Sequence, residues 1–241
     1  MDFQAWRLRL EANRDSAVVV PASSTLEPAR RAAVARLLGQ YAGGEEAERE
    51  IAGALLGGAR DPDDRAALAA LLDDERRHGE MLKDAVTRLG FTAPANNRRD
   101  LRRLILLVRP LSFVELVMLF HVMEIAVSTA YRVLRAANRH DPMLRVVLGA
   151  IVRDEVVHKA FHEQRLAEAV AELGTLRRAK LRAIHVVVRH LLLTGPYHVV
   201  PHDVYEAAMG ISFTQFKGHL SRAYERAYSG DLAWLRGNQP R

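Results

Sequence analysis

Two Glu-x-x-His quartets constrain this chain more than any other feature. Glu75-Arg76-Arg77-His78 and Glu155-Val156-Val157-His158 each set a carboxylate and an imidazole three positions apart. In a helix that spacing puts both side chains on one face, a turn apart. A single such quartet is weak, since composition alone produces about 0.7 of them in a chain like this. What raises its weight is repetition. Asp61-Pro62 stands as far ahead of Glu75 as Asp141-Pro142 stands ahead of Glu155. Asp at an N-cap followed by Pro at N1 is a strong helix start. The interval between the two quartets equals the interval between the two start signals, and each Glu is preceded by an acid, Asp74 or Asp154. Two helices carry the same acid-imidazole pair at the same depth.

Each quartet helix has an antiparallel partner in the pattern. Residues 113–131 read FVELVMLFHVMEIAVSTAY, apolar nearly all round, as in a buried helix. Glu124 sits in its middle, where an unpaired carboxylate is costly and a metal removes the cost. It stands almost as far before a turn near 139–141 as Glu155 stands after it, so antiparallel helices bring the two to one level. In the first repeat, Leu38, Tyr41, Glu45, Glu48, Ala52 and Leu55 share a stripe. Glu45 precedes Glu75 by nearly the interval that separates Glu124 from Glu155, so it is the matching ligand, with Glu48, one turn lower, the fallback. Glu46 and Glu50 fall off the stripe and are expected in solvent.

The pattern predicts an all-α chain. Its expected elements are a short helix over 1–14, a loop over 15–24, and a helix opened by a Ser24-x-x-Glu27 capping box. That helix runs to Gly57 with a kink at Gly43-Gly44. Others follow over 62–89, 99–108, 112–138, 142–173, 176–193 and 203–228. The connection after Gly90 is longer than those within each repeat, as in a four-helix bundle with one long crossover. The reading is a single domain over 1–241, with the core bundle over 27–173 and additional helices over 176–228.

Composition narrows the chemistry. The chain has no cysteine, which excludes disulfides, thiolate metal sites and cysteine nucleophiles. No Gly-rich phosphate loop, Ser-His-Asp set or nucleotide motif is present. The net charge is +6. Its densest patches are Arg98, Arg99, Arg102 and Arg103, then Arg177, Arg178, Lys180 and Arg182. No aromatic residues are interleaved with them for base stacking, so they read as solvated helix faces or a dock for an acidic partner, not for nucleic acid. The N-terminus lacks the apolar core of a signal peptide, and charges interrupt the most apolar window, 104–127. A soluble, cytoplasmic protein without a membrane span is expected.

Several other residues are candidates near the quartets. Asp74 and Asp154 either hydrogen-bond ligand imidazoles or face solvent. His121 and His162 lie one turn from Glu124 and His158, as partners of ligands, further ligands or core groups. Tyr131, two turns after Glu124, is a near-metal phenol or core. Met118, Phe120 and Met123 read as core or as the lining of a substrate tunnel, and His185, His190, His198 and His202 as structural.

At Glu45, Glu75, His78, Glu124, Glu155 and His158 the chain resembles the ferritin-like di-iron carboxylate superfamily. The stretch MEIAVSTAYRVL…DPMLRVVLGAIVRDEVVH, with GGEEAE before it, is most similar to the aldehyde-deformylating oxygenases. The resemblance implies that those six residues ligate two iron ions, with manganese or a mixed pair as variants. It implies a non-haem di-iron oxygenase or oxidase that activates dioxygen to oxidise a small hydrophobic substrate. An external electron donor such as a ferredoxin is then required, an acyl carrier protein is a candidate carrier of the substrate, and a monomer or homodimer is expected. The rival readings are an iron-handling, ferroxidase or peroxide-removing protein, and a non-enzymatic helical interaction module.

Overall fold

The computed structural model describes residues 2–14, 19–93, 106, 108–194, 200–229, 232 and 235. Among them are eight helices and no strand: α1 (Phe3–Arg14), α2 (Pro28–Leu56), α3 (Pro62–Arg88), α4 (Phe113–Ala137), α5 (Pro142–Ala171), α6 (Thr175–Thr194), α7 (His202–Met209) and α8 (Phe213–Ala227). The two Asp-Pro signals act as the sequence predicts. The carboxylate of Asp61 accepts from the Asp64 N–H at 2.8 Å, and that of Asp141 from the Leu144 N–H at 2.8 Å. Each satisfies an N–H that the first helical turn leaves without a partner. Gly90 closes α3 with φ +88, a conformation that glycine adopts without strain.

The ferritin-like bundle is two antiparallel pairs, α2 with α3 and α4 with α5, joined by the long crossover between α3 and α4. Helix α1 lies across α3 and α5, α7 packs on α2, and α6 and α8 cover α4. The apolar stripes meet in one continuous core running from Phe3 to Leu235. Helix α4 is long and apolar enough to cross a membrane, but 72% of its most apolar window is buried inside the fold. It is the central helix of the bundle, covered by α5 on one side and by α6 and α8 on the other.

Three local expectations give way. Helix α2 opens at Pro28 and not at a Ser24 cap, because Ser24 Oγ donates instead to Asp141 Oδ2 at 2.6 Å and ties the entering loop to the start of α5. Helix α2 continues through Gly43 and Gly44, since the packing of its long stripe outweighs the weak helix propensity of two glycines. The segment 203–228 is two helices, not one. Gly210 turns left-handed at φ +67, and Ser212 opens α8 by accepting from the Gln215 N–H while its own N–H donates to Gln215 Oε1. Both break signals stand in the sequence as Gly-Ile-Ser-x-x-Gln. Of the expected helix over 99–108 only residues 106 and 108 are described, both helical, while the Arg98, Arg99, Arg102 and Arg103 cluster and His198 lie outside the described residues.

A buried ion pair ties α3 to α5 at one end of the bundle. Arg165 on α5 donates both terminal nitrogens to Asp64 on α3, one at 2.9 Å, while Phe113 lies 4.9 Å from the guanidinium carbon. Both residues are out of solvent.

Candidate metal centre

Glu75 and His78 from α3 meet Glu155 and His158 from α5 at the centre of the bundle. Each offers one oxygen or nitrogen such that all four atoms lie within 4.8 Å of one another, and all four side chains are buried. His158 Nδ1 is 2.8 Å from Glu75 Oε1, and His78 Nδ1 is 3.4 Å from Glu155 Oε1. Each imidazole therefore faces the carboxylate of the opposite repeat.

The outer nitrogens complete the exchange. His78 Nε2 lies 3.3 Å from Asp154 Oδ2, and His158 Nε2 lies 3.4 Å from Asp74 Oδ2. A carboxylate on the far nitrogen fixes the tautomer so that the near nitrogen keeps its lone pair for a ligand. Arg77 reaches both acids, at 3.2 Å from Asp74 and 2.7 Å from Asp154. Asp74 and Asp154 are fully buried, and the solvent-exposed alternative for them is ruled out. Arg77 itself was not singled out from sequence. The signal was present, since it stands three positions after Asp74 on the same helix face.

The partner helices supply the rest. Glu45 and Glu48 on α2 and Glu124 on α4 are 3%, 5% and 2% exposed. Burial, and then the charges of Glu75 and Glu155, hold the carboxyls of both Glu45 and Glu48 well above the ordinary range. Glu124 is raised by burial, then by Glu155 and Glu75. Glu75 goes the other way: burial pushes it up, but His158 and His78 outweigh that and hold it ionised. His158 is raised to about 10: burial pushes it down, but the charge of Glu75, contacts with Asp74 and Glu75 and the charge of Glu155 together outweigh that. The structure brings Glu75, His78, Glu155 and His158 together, sets Glu45 against Glu75 and Glu124 against Glu155, and buries the fallback Glu48 one turn from Glu45. Glu46 and Glu50 lie off the site: Glu46 pairs with Lys83 and Glu50 is exposed.

An added Cβ at Gly79 would meet Glu45 Cβ at 3.6 Å, an ordinary contact, so α2 and α3 lie side by side at the level of the site with room for an alanine there. Tyr131 donates a hydrogen bond to Glu45, so it is a phenol at the site and not only core. His162, one turn beyond His158, points Nε2 at Glu124 Oε1, 3.6 Å away, and is packed by Phe120 and Phe161. Its pKa falls to about 3 through burial, then through His121 and His158.

The donor set fits metal ions. Glu75 Oε1, Glu124 Oε1, Glu155 Oε2, His78 Nδ1, His158 Nδ1 and both nitrogens of His162 are buried and, although Glu75 Oε1 and His158 Nδ1 lie 2.8 Å apart, none is aligned for a hydrogen bond within the protein. Buried polar atoms are otherwise nearly always partnered. The seven atoms just named gather at the centre of the bundle, and they are carboxylate oxygens and imidazole nitrogens, the donors that suit iron and manganese.

On the far side of Glu45 and Glu48 lies a cavity of about 160 Å³. It is walled by Tyr41, Tyr131 and Tyr205 with Met123, Ala126 and Ala130. Met123 therefore lines a cavity beside the site, while Met118 is core.

A family model, that of p-aminobenzoate N-oxygenase AurF, matches residues 51–203. The chain belongs to the AurF family. It is a family of ferritin-like di-iron oxygenases, and the chain is a di-iron oxidoreductase of that class. The matched stretch contains Glu75, His78, Glu124, Glu155, His158 and His162, while Glu45 and Glu48 lie just ahead of it. The segment similar to aldehyde-deformylating oxygenases lies inside it, so the superfamily read from the sequence stands. No curated protein sequence matches the chain. A buried Glu/His cluster in a family of this kind fits a pair of metal ions, and an oxygenase acts on a small molecule.

Proposed function

We propose that this AurF-family enzyme uses two iron ions, held by Glu45, Glu75, His78, Glu124, Glu155 and His158, to oxidise a small single-ring substrate with dioxygen. The observation that carries the reading is the convergence of orphaned carboxylate and imidazole atoms from three helices inside the family-matched stretch. Two bound irons supply the electrons that activate dioxygen. The chain does the rest. Asp74 and Asp154 orient the imidazoles, Arg77 holds both acids, and the surrounding core excludes water from the centre.

Substrate class follows from the cavity beside Glu45 and Glu48. Its volume of about 160 Å³ is close to the roughly 150 Å³ apolar cavity that takes up benzene in an engineered protein. Tyr41, Tyr131 and Tyr205 offer ring faces and edges to a flat guest. The family name points to an amine on that ring, so aminobenzoates and other single-ring arylamines are the first compounds to test. Electrons come from an acidic donor protein of the ferredoxin type, since the chain has no cysteine or flavin motif of its own.

The deciding experiment measures metal per chain and then dioxygen uptake with p-aminobenzoate, other arylamines and fatty aldehydes, with products read by mass spectrometry. Two ions per chain and an oxygen atom added to an arylamine support the reading. Ferrous ion oxidised with no organic product, whatever compound is supplied, favours iron handling instead. Metal-replete protein retaining under half an equivalent of metal defeats both.

A further inference from the structure

The proposed metal centre leaves unused two buried imidazoles and a phenol that connect Glu124 to the outside of the bundle. His121 stands one turn before Glu124 on α4, fully buried. Its Nδ1 lies 3.0 Å from the hydroxyl of Tyr228, just past the end of α8, and its Nε2 is buried without a hydrogen bond in the protein. The Tyr228 ring meets the ring of His185 on α6, centroids 4.4 Å apart at 66°. His185 in turn lines a pocket of about 200 Å³ beneath α6, together with Val186, Arg189 and His190, of which Val186 and His190 are exposed. Between Glu124 and the surface pocket stand three polar rings, His121, Tyr228 and His185, the first two joined by a hydrogen bond and the last two by an edge-to-face contact.

We propose that His185, Tyr228 and His121 carry protons from the pocket beneath α6 to the Glu124 side of the metal centre. The proposal rests on the two-metal reading. A buried metal pair that gains electrons from an external one-electron reductant gains negative charge, and proton uptake neutralises it. A proton enters at one ring nitrogen of His185, and the opposite nitrogen gives up its own to Tyr228 Oη. Tyr228 passes its hydroxyl proton to His121 Nδ1, and His121 releases one from Nε2 toward Glu124. Each group gains one proton and loses one, no group on the path is oxidised or reduced, and ring reorientation resets it. In this relay His185 turns out of its edge-to-face contact so that a ring nitrogen meets the phenol oxygen.

The charges around the path suit transit and not storage. Burial and then Lys159 on α5 keep His121 neutral, with a pKa of about 3. Burial and Arg189 keep His185 neutral, at about 4. Burial, and then Glu163 on α5, hold the Tyr228 phenol protonated against the opposing pull of Arg189. A neutral imidazole has one N–H and one lone pair, which is what a relay needs at each end.

The test uses Tyr228→Phe, which keeps the ring against His185 and deletes only the hydroxyl. Full-length protein with a measured load of two ions is reduced by dithionite under anaerobic conditions in weak buffer, and proton uptake is followed with a pH indicator in a stopped-flow instrument. Uptake slowed at least about tenfold at unchanged metal load supports the path. His185→Ala gives the second arm. It opens a gap onto the surface pocket, so uptake should slow and added imidazole should restore it. Uptake at the wild-type rate in Tyr228→Phe, or a loss in His185→Ala that imidazole leaves unchanged, overturns the path while the metal centre stands. A wild-type protein that takes up no metal overturns both readings together. If Tyr228→Phe does not fold, the imidazole arm decides alone.

Discussion

His78 is held by Asp154, an acid that belongs to the other repeat. The 3.3 Å contact from His78 Nε2 to Asp154 Oδ2 has its mate in the 3.4 Å contact from His158 Nε2 to Asp74 Oδ2. Two helices from separate halves of the repeat therefore aim each other's imidazoles, and neither can turn its ligand inward alone. Partners of this kind are worth about 10–100-fold in metal affinity when removed. Asp154→Ala and Asp74→Ala should each weaken metal binding by that amount in a chelator-competition titration, with the helical circular dichroism unchanged. Affinity within about twofold of wild type in both variants would refute the arrangement.

The Asp64–Arg165 pair makes a prediction about stability alone. Arg165 is 1% exposed and its charge is neutralised by one carboxylate. Removing one partner of such a pair costs about 3–5 kcal/mol, because the other charge is left buried, while replacing both with apolar residues of similar volume is often close to neutral. Asp64→Ala should lower the unfolding free energy in denaturant by about that amount. Asp64→Leu combined with Arg165→Met should recover most of it. A double variant as unstable as the single one contradicts this account.

The bundle and its ligand helices were legible because they rest on short-range signals: Asp-Pro at two helix starts, a three-residue spacing, and one acid in an apolar helix. Glu45 was placed by counting along the chain to a turn, which works when both helices are straight. The exchange of Asp74 and Asp154 between repeats was not legible, since spacing puts each acid near its own motif and only the crossing of α3 and α5 decides which imidazole it meets. Arg165 and Tyr228 were missed for a related reason. Each is one polar residue on a largely apolar face, and nothing local announces a partner so distant in sequence, Asp64 for the one and His121 for the other. The break at Gly210 was visible, and was outweighed by the apolar periodicity on either side of it.

The buried imidazoles set an acid limit. His121 has a pKa of about 3 in the folded chain through burial, and then through Lys159 and His185, against an ordinary 6.5. A folded pKa below the unfolded one means that its contribution to stability is complete above pH 6.5 and is lost as pH falls toward 3. Glu45, Glu48 and Glu124 bias the total the opposite way, since their pKa values are raised. The comparison is therefore between wild type and His121→Phe, which share those carboxylates. Relative to the variant, metal-free wild type should lose about 1.4 kcal/mol per pH unit on going from about pH 6.5 downward. The check is urea unfolding at stepped pH, and parallel curves for the two proteins would contradict the neutral His121.

Glu124 and Glu48 should separate in metal content. Glu124 lies opposite Glu155 with one oxygen free of hydrogen bonds, while Glu48 stands one turn from Glu45 at the cavity. Glu124→Ala is expected to drop metal below one ion per chain, and Glu48→Ala to keep most of it, by inductively coupled plasma mass spectrometry. Metal lost in Glu48→Ala but kept in Glu45→Ala would move the α2 ligand from Glu45 to Glu48.

An acidic electron donor should dock on a basic face and feel salt. Arg177, Arg178 and Lys180 are exposed and Arg182 half-exposed on α6, a helix without a single acidic residue. Lys180 is engaged by Glu115 at 2.7 Å, which leaves the three arginines as the stronger attractors. Opposite charges speed encounter, and the effect fades as added salt brings the screening length below about 10 Å. With a ferredoxin donor, turnover at limiting donor should fall several-fold between low salt and about 0.3 M. Reversing Arg177, Arg178 and Arg182 to Glu should raise the KM for the donor while leaving metal content and kcat at saturating donor in place. A KM that stays put, along with turnover indifferent to salt, would mean that electrons enter elsewhere.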